Sequence, residues 1–360
     1  LKRFIRRQIK KLSAYILNKH FIYIARHPAN NNGFVMVGGL KPLARYSKLY
    51  LGLGGKATVS KKLILNAASR LNHLLKTYGM VVSADDKILS AEDSLSVPDF
   101  IDVGIDLPED INTYLKGLPY TARYDVRKIE RAGFKCQVFK DDHWVPVFYN
   151  TYYQPTMQKR HGDEAYIMPQ TKIKALMAQG DYEFAKILDG DTCVGAVLAK
   201  IEAEQYHFFK VGWLNGDDSL ITKGATAALY WFVINRAFEL NKTRVVLGGT
   251  PAYLENGVFR YKAKWLASLN TRYYGLNGLF LNPGNQHCYN FLLQVSIIAV
   301  NKNGDLIVLS AKAKDNAGVT GIILNNITAW YLLRDTPATT FNIDVACLPP
   351  ALRPWYQKVV

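Results

Sequence analysis

The sequence predicts an α/β fold arranged as two domains. A strand–helix–strand order occurs once in each half of the chain. The apolar runs that frame each helix are short and rich in β-branched residues, as in buried strands. The 360 residues correspond to two domains at roughly 150 residues each, with an extension left over.

The elements follow in order. Residues 1–12, LKRFIRRQIKKL, hold six basic residues and no acid, with Phe4, Ile5, Ile9, Leu12 and Ile16 at helical spacing. This reads as a basic amphipathic helix over residues 1–20. It either lies on an anionic membrane surface or docks its stripe on the rest of the chain. GFVMVGG (33–39) and LYLGLGG (49–55) read as strands, residues 61–79 as a helix and MVVSAD (80–85) as a strand. Residues 106–134 read as mostly helical, from Leu107-Pro108-Glu109 to a C-cap at Gly133, with Arg123, Arg127 and Arg131 on one face. YEFAKIL (182–188) and CVGAVLAKI (193–201) form a hairpin across Asp189-Gly190-Asp191. A strand at 206–214, a helix at 222–240 and a strand at 243–249 follow. Beyond 286, Asn303-Gly304 marks a hairpin turn, and Pro337, Pro349, Pro350 and Pro354 suggest an extended, wrapped end. The expected domains are therefore 21–134, including the connecting helix 106–134, and 135–285. Residues 286–360 form an extension with no functional reading.

Composition excludes several classes. A hydrophobic fraction of 49% and a charged fraction of 21% support a packed core rather than disorder. No apolar run approaches the ~20 residues that a membrane-crossing helix needs. Four widely spaced cysteines form neither a zinc knuckle nor a disulfide framework, so reduced thiols in a cytoplasmic protein are expected. The chain begins at Leu1, which leaves its native start open. The seven His are scattered, so no metal site is expected, and no G-x-S-x-G elbow is present. A net charge of +16 favours polyanions: nucleic acid, anionic lipid or phosphate-bearing carriers.

Candidate residues gather in the second half. Lys223 precedes Gly224, Ala225 and Thr226 at a helix start. Small residues there expose backbone N–H groups at a positive helix end, which suits a phosphate. The alternative is an ordinary cap with small residues for close packing. Lys210 lies inside the apolar strand HFFKVGW, where an ionisable group needs a partner or a cleft. Arg160, His161, Asp163 and Glu164 form a charged cluster, read either as a substrate contact or as a salt-bridged loop. Tyr253 and Glu255 sit in the turn after Gly249, within reach of a cleft as proton donor or acceptor.

Residues 122–265 resemble the second domain of the FemABX-like acyltransferases, which are built from two GNAT domains in tandem. Tyr230-Trp231 and Ala237 match that family's helix, residues 245–249 its Gly-ending strand, and Tyr261-Lys262-Ala263-Lys264-Trp265 its F-K-x-x-W-G signature. The helix at 122–139 looks like the family's connecting helix, and FYNTYYQPTMQKRHGDEAYIMP (148–169) like its aromatic, basic entry segment. The chain departs from the pattern at Leu266 and Asn241, where the family usually has Gly.

The resemblance implies two GNAT-like domains, each a mixed, mostly antiparallel sheet flanked by helices. It implies transfer of an acyl or aminoacyl group to an amine of an envelope precursor, sugar or small metabolite. The donor would be acyl-CoA, acyl-carrier protein or aminoacyl-tRNA, with no tightly bound cofactor. Such chemistry rests on placement, oxyanion stabilisation and a sink for the amine proton. Lys262, Tyr253 and Glu255 are the expected catalytic residues, and Lys223, Gly224, Ala225 and Thr226 the donor site. Tyr152, Arg160, His161, Asp163, Lys210, Gly248 and Gly249 are expected to meet substrate. The expected partners are the carrier, tRNA among them, and anionic membrane at the inner face. The alternative is a non-catalytic GNAT pair serving as a basic scaffold on membrane or RNA.

Overall fold

In the computed structural model, residues 19–29, 32–37, 43–52, 57–65, 67–83, 94–161, 167–312, 326–339 and 343–359 are described. The basic segment 1–12, the side chain of His161 and residues Asp163 and Glu164 lie outside them.

Packing divides the chain into two units. The first comprises Leu1–Ile101, Thr250–Arg260 and Thr271–Val360, and the second Asp102–Gly249 and Tyr261–Asn270. In the first unit β1 (Lys19–Arg26) pairs antiparallel with β2 (Gly33–Val37) and with β3 (Thr58–Leu65). Helix α1 (Leu43–Leu51) buries Tyr46 and Tyr50. Helix α2 (Ala67–Tyr78) lays Leu71, Leu74 and Leu75 on Ile22, Ile24, Val35 and Val37. Two expectations change here. Residues 49–51 end a helix rather than begin a strand, because Tyr46 and Tyr50 recur at a helical interval and both point inward. Residues 61–65 are strand rather than helix, because each pairs with β1.

The strand β4 (Met80–Ser83) runs parallel to β2, and β5 (Leu95–Asp106) carries the chain into the second unit. Asp110 caps α3 (Ile111–Gly117), accepting from Asn112 N and Thr113 N at 2.8 and 3.0 Å, so the helix starts after the expected Leu107-Pro108-Glu109 rather than within it. Helix α4 (Tyr120–Ala132) ends at Gly133, whose φ of 69° gives the left-handed cap that the sequence predicts. Next come β6 (Lys135–Phe139), a π-helical turn at Phe148–Tyr153, α5 (Gln154–His161) and α6 (Gln170–Met177). The expected hairpin follows as β7 (Tyr182–Asp189) and β8 (Thr192–Ile201), then β9 (Gln205–Trp213). The helix expected over 222–240 is two, α7 (Ser219–Lys223) and α8 (Ala225–Glu239), broken where Gly224 takes a φ of 103°. Strand β10 (Arg244–Thr250) lies parallel to β9, giving the order β10-β9-β8-β7-β6.

The signature segment is the helix α9 (Gly257–Lys264), followed by β11 (Ser268–Leu281). Back in the first unit, α10 (Gln286–Gln294) precedes β12 (Ile297–Val300) and β13 (Leu306–Ser310), joined by the expected turn with Gly304 at φ 88°. Strands β14 (Ile327–Leu333) and β15 (Tyr356–Lys358) complete this sheet. Pairing is mostly antiparallel in both units, and the fold class is mixed α/β.

The units do not follow the boundaries expected from sequence. The helices at 106–134 belong to the second unit: Ala122, Val126 and Ile129 are buried there, and Tyr114 Oη donates to Trp265 O at 2.7 Å. Residues 286–360 belong to the first unit. Tyr50 meets the rings of His287 and Phe291 at 4.5 and 5.2 Å. Both contacts join residues far apart in the chain, which local pattern does not reveal.

Candidate active site

The second unit has a discontinuity in its sheet. β10 pairs with β9 only at Arg244↔Gln205, Val245↔Tyr206 and Val246↔His207. Yet β9 runs on to Trp213 and β10 to Thr250. Strand ends beyond a ladder leave backbone groups that need other partners.

Lys262 supplies some of them. Its Nζ donates to Gly248 O and Gly249 O, at 2.9 Å each. Helix α9 turns this side chain inward, leaving it 5% exposed. Burial pushes its amino group down from 10.5 to about 7, while the Asp102 carboxylate acts in the opposite sense. With two N–H groups held by carbonyls, the neutral amine keeps one lone pair free. A buried amine titrating near neutrality has the properties of a proton acceptor. The structure therefore brings together Lys262, Gly248 and Gly249. Asp102 was missed in the sequence. It was detectable by the rule that selected Lys210, an ionisable group inside an apolar strand.

Around this centre the packing is aromatic. Tyr230 on α8 stacks near Trp265 at 6.1 Å and meets Tyr261 edge-on at 5.2 Å. Lys264 pairs with Asp125 of α4. The signature residues thus divide their work: Tyr261 and Trp265 pack, Lys264 ties α9 to α4, and Lys262 is held at the strand end.

Lys223 is exposed at the α7–α8 break. An open depression of about 700 Å³ lies beside it, lined by Lys128, Ala132, Phe134, Ser219 and Thr222 and by the acidic Asp189. Lys128 Nζ donates to Thr222 O at 3.0 Å, so two lysines flank the start of α8. Ala225 is fully buried, and the Thr226 hydroxyl is buried without a hydrogen-bond partner. Lys223 and Gly224 are thus the accessible part of the expected donor site.

The other candidates have partners of their own. Tyr152 belongs to the core, 5% exposed, and its hydroxyl donates to Cys193 O at 3.3 Å. Arg160 lies over the Trp213 ring at 5.7 Å. Lys210 stays half-buried on β9, with its Nζ 4.7 Å above the Phe209 ring. Tyr253 and Glu255 fall in the first unit. The Glu255 carboxylate accepts from Ser296 N and Oγ, both at 2.8 Å, and lies 3.9 Å from Lys312 Nζ. That carboxylate clamps β12 to the chain. Tyr253 is buried edge-on against Tyr46 at 6.4 Å, and burial holds its phenol well above the ordinary value. Such a phenol keeps its proton at neutral pH.

No family model matches this chain. No curated protein matches it. Solved structures do. The C-terminal domain of a putative lysylphosphatidylglycerol synthetase from Agrobacterium fabrum is 10% identical, covering 76% of this chain and 86% of that one, with a TM-score of 0.34. FemX is 11% identical over 66% of this chain and 88% of its own, with a TM-score of 0.37. A GCN5-related N-acetyltransferase from Kribbella flavida is 9% identical over 81% and 68%, with a TM-score of 0.31. Identities and TM-scores this low assign neither a family nor an activity to this chain.

Proposed function

We propose that the second unit transfers an acyl or aminoacyl group from a phosphate-bearing carrier to an amine. The observation that carries this reading is the amine of Lys262, buried and doubly hydrogen-bonded where β10 leaves β9. The acceptor nitrogen forms a bond to the carbonyl carbon of the donor. Its proton passes to Lys262 Nζ, the bond from carbonyl carbon to carrier sulfur or oxygen breaks, and the carrier leaves with a proton. No covalent enzyme intermediate is required. Lys128 and Lys223 supply positive charge for a carrier phosphate beside the start of α8. Acyl-CoA, acyl-carrier protein and aminoacyl-tRNA all fit that requirement. A cytoplasmic enzyme of envelope or small-metabolite synthesis, touching the membrane through residues 1–12, is the setting this reading favours.

The second reading, a basic binding scaffold, draws on α4. Arg123, Arg127 and Arg131 are exposed there beside Tyr120 and Tyr124, which are 67% and 52% exposed. Donor screening separates the two. Wild-type protein is incubated with acyl-CoAs and charged tRNAs plus candidate amines, and products are read by mass spectrometry. Lys223→Glu is compared by calorimetry with the donor that reacts. It avoids Gly224, whose φ of 103° makes any side chain strained. Donor affinity should fall at least about tenfold, the cost of about 1.4 kcal/mol. Binding of RNA or anionic vesicles with no acylated product would favour the scaffold.

A further inference from the structure

We propose that the outer face of α4 is a docking surface for single-stranded RNA, with bases stacked on Tyr120 and Tyr124 and phosphates held by Arg123, Arg127 and Arg131. The helix has one buried side. Ala122, Val126 and Ile129 are packed into the second unit, and Asp125 pairs with Lys264 of α9. The two tyrosines and three arginines lie on the other side, four residues apart within each set, and all five are exposed. Tyr120 and Tyr124, at 67% and 52% exposed, are the most exposed large apolar side chains among the described residues. Two such rings one helical turn apart offer flat apolar faces that the fold itself does not cover.

Charge gathers on the same face. The arginines recur every ~6 Å along the helix axis. Arg123 donates to Lys116 O at 3.4 Å and Arg127 lies over the Tyr120 ring at 5.7 Å, and among the described residues no carboxylate pairs with any of the three. Glu130 is exposed on the flank of the stripe. A row of unpaired guanidiniums suits a phosphate backbone. Rings and guanidinium planes beside it suit bases that have left a duplex, because a duplex keeps its base faces stacked inside. The tyrosine hydroxyls can exchange hydrogen bonds with a ribose 2′-hydroxyl, which selects RNA over DNA. A bilayer fits less well. A helix lying in the interface sinks apolar side chains into lipid, whereas Val126 and Ile129 of α4 are spent on the core. The stripe also faces away from the side tied to α9, and the depression proposed for the donor lies at its flank, reached by Lys128. The inference therefore does not rest on acyl transfer.

The test uses the full chain and fluorescence anisotropy with a labelled single-stranded RNA of mixed sequence, about 12 nucleotides long. The same sequence as DNA, the RNA duplex and phosphatidylglycerol vesicles are the comparison arms. Wild-type protein should bind the single-stranded RNA more tightly than the DNA or the duplex. The double variant Tyr120→Ala with Tyr124→Ala should lose at least about tenfold in affinity, and Tyr120→Phe with Tyr124→Phe should lose less, since it keeps both rings. Arg127→Gln should weaken binding and lower the slope of log affinity against log salt by about 0.7. Lys302→Gln, an exposed charge on a hairpin turn of the first unit, should leave affinity unchanged. All these side chains are exposed, so the variants should keep the wild-type melting curve. An alanine double variant that binds RNA like wild type would overturn the site, because attraction to a +16 chain needs no tyrosine. Equal or tighter binding of the duplex or the DNA would overturn the assignment to single-stranded RNA. Vesicle binding that depends on the tyrosines, without RNA binding, would give the face to a membrane instead. A tyrosine variant that loses RNA but still transfers acyl groups would leave the transferase reading standing.

Discussion

Asn241 and Leu266 hold a left-handed backbone, with φ of 52° and 61°. These are the two positions at which the chain departs from glycine in the family pattern it resembles. The departures visible in the sequence thus mark turns whose backbone still takes the shape that glycine serves. Asn tolerates this region better than Leu, because its short polar side chain bonds locally. Asn241 is exposed at the end of α8, so its side chain contributes little packing. Asn241→Gly should therefore stabilise the chain by up to ~1 kcal/mol in chemical denaturation, while Asn241→Val should destabilise it by a similar amount or more.

Lys262 makes a second prediction at the same scale. Its folded value of about 7 lies below the unfolded value of about 10.4. Between these two, the unfolded chain keeps a proton that the folded chain has released, so stability rises with pH across that window. Below about 7 both states are protonated, and the cost of burying the charge is fully present. Relative to Lys262→Met, the wild type should gain stability from pH ~7 to ~10, on the order of 1 kcal/mol per pH unit. A difference that stays flat with pH would place Lys262 in solvent.

At the scale of elements, strong local signals were read correctly: the β7–β8 hairpin, the Gly133 cap and the Asn303-Gly304 turn. Where two periods compete, the sequence misleads. Leu63 and Leu65 stand at strand spacing, while Leu63 and Ile64 also fit a helical stripe with Ala67 and Leu71, and pairing with β1 decides the outcome. The π-helical turn at Phe148–Tyr153 leaves no signature of its own, because its aromatics fit an ordinary helix. Its partner was legible only in hindsight as a glycine inside a strand. A Cβ on Gly212 would lie 2.2 Å from the carbonyl carbon of Tyr152. The π-helical backbone therefore rests directly on β9, and Thr156 Oγ1 accepts from Trp213 N at 2.8 Å to fix it there. Gly212→Ala should destabilise the fold by at least ~3 kcal/mol, because backbone rather than a flexible side chain must move. A melting curve that matches wild type would mean that the turn stands off from the strand.

At the scale of the whole molecule, the sequence indicated two α/β bodies but not which segments compose them. The chain leaves the second unit at Thr250 and returns at Tyr261. Tyr253 and Glu255 therefore belong to the first unit, although they precede Lys262 by only a few residues. Proximity in sequence groups the three, and the division into units falls within that stretch of chain, between Arg260 and Tyr261. Lys262 was legible from its signature spacing. Its burial and its two carbonyl partners were not, since they depend on where β10 parts from β9, whereas Asp102 was legible as an ionisable group inside the apolar strand β5. Among the described residues, no helix is long and apolar enough to cross a membrane.

The central claim is that Lys262 accepts the proton of the attacking amine, and the pH dependence of kcat tests it most directly. With a donor and an amine that react, wild-type kcat should rise with pH and level off above about 7, the pH at which Lys262 loses its proton. In Lys262→Met, a folded variant should lose roughly a hundredfold in kcat, about 3 kcal/mol, together with that rising limb. A Lys262→Met enzyme with wild-type kcat and the same rising limb would contradict the account.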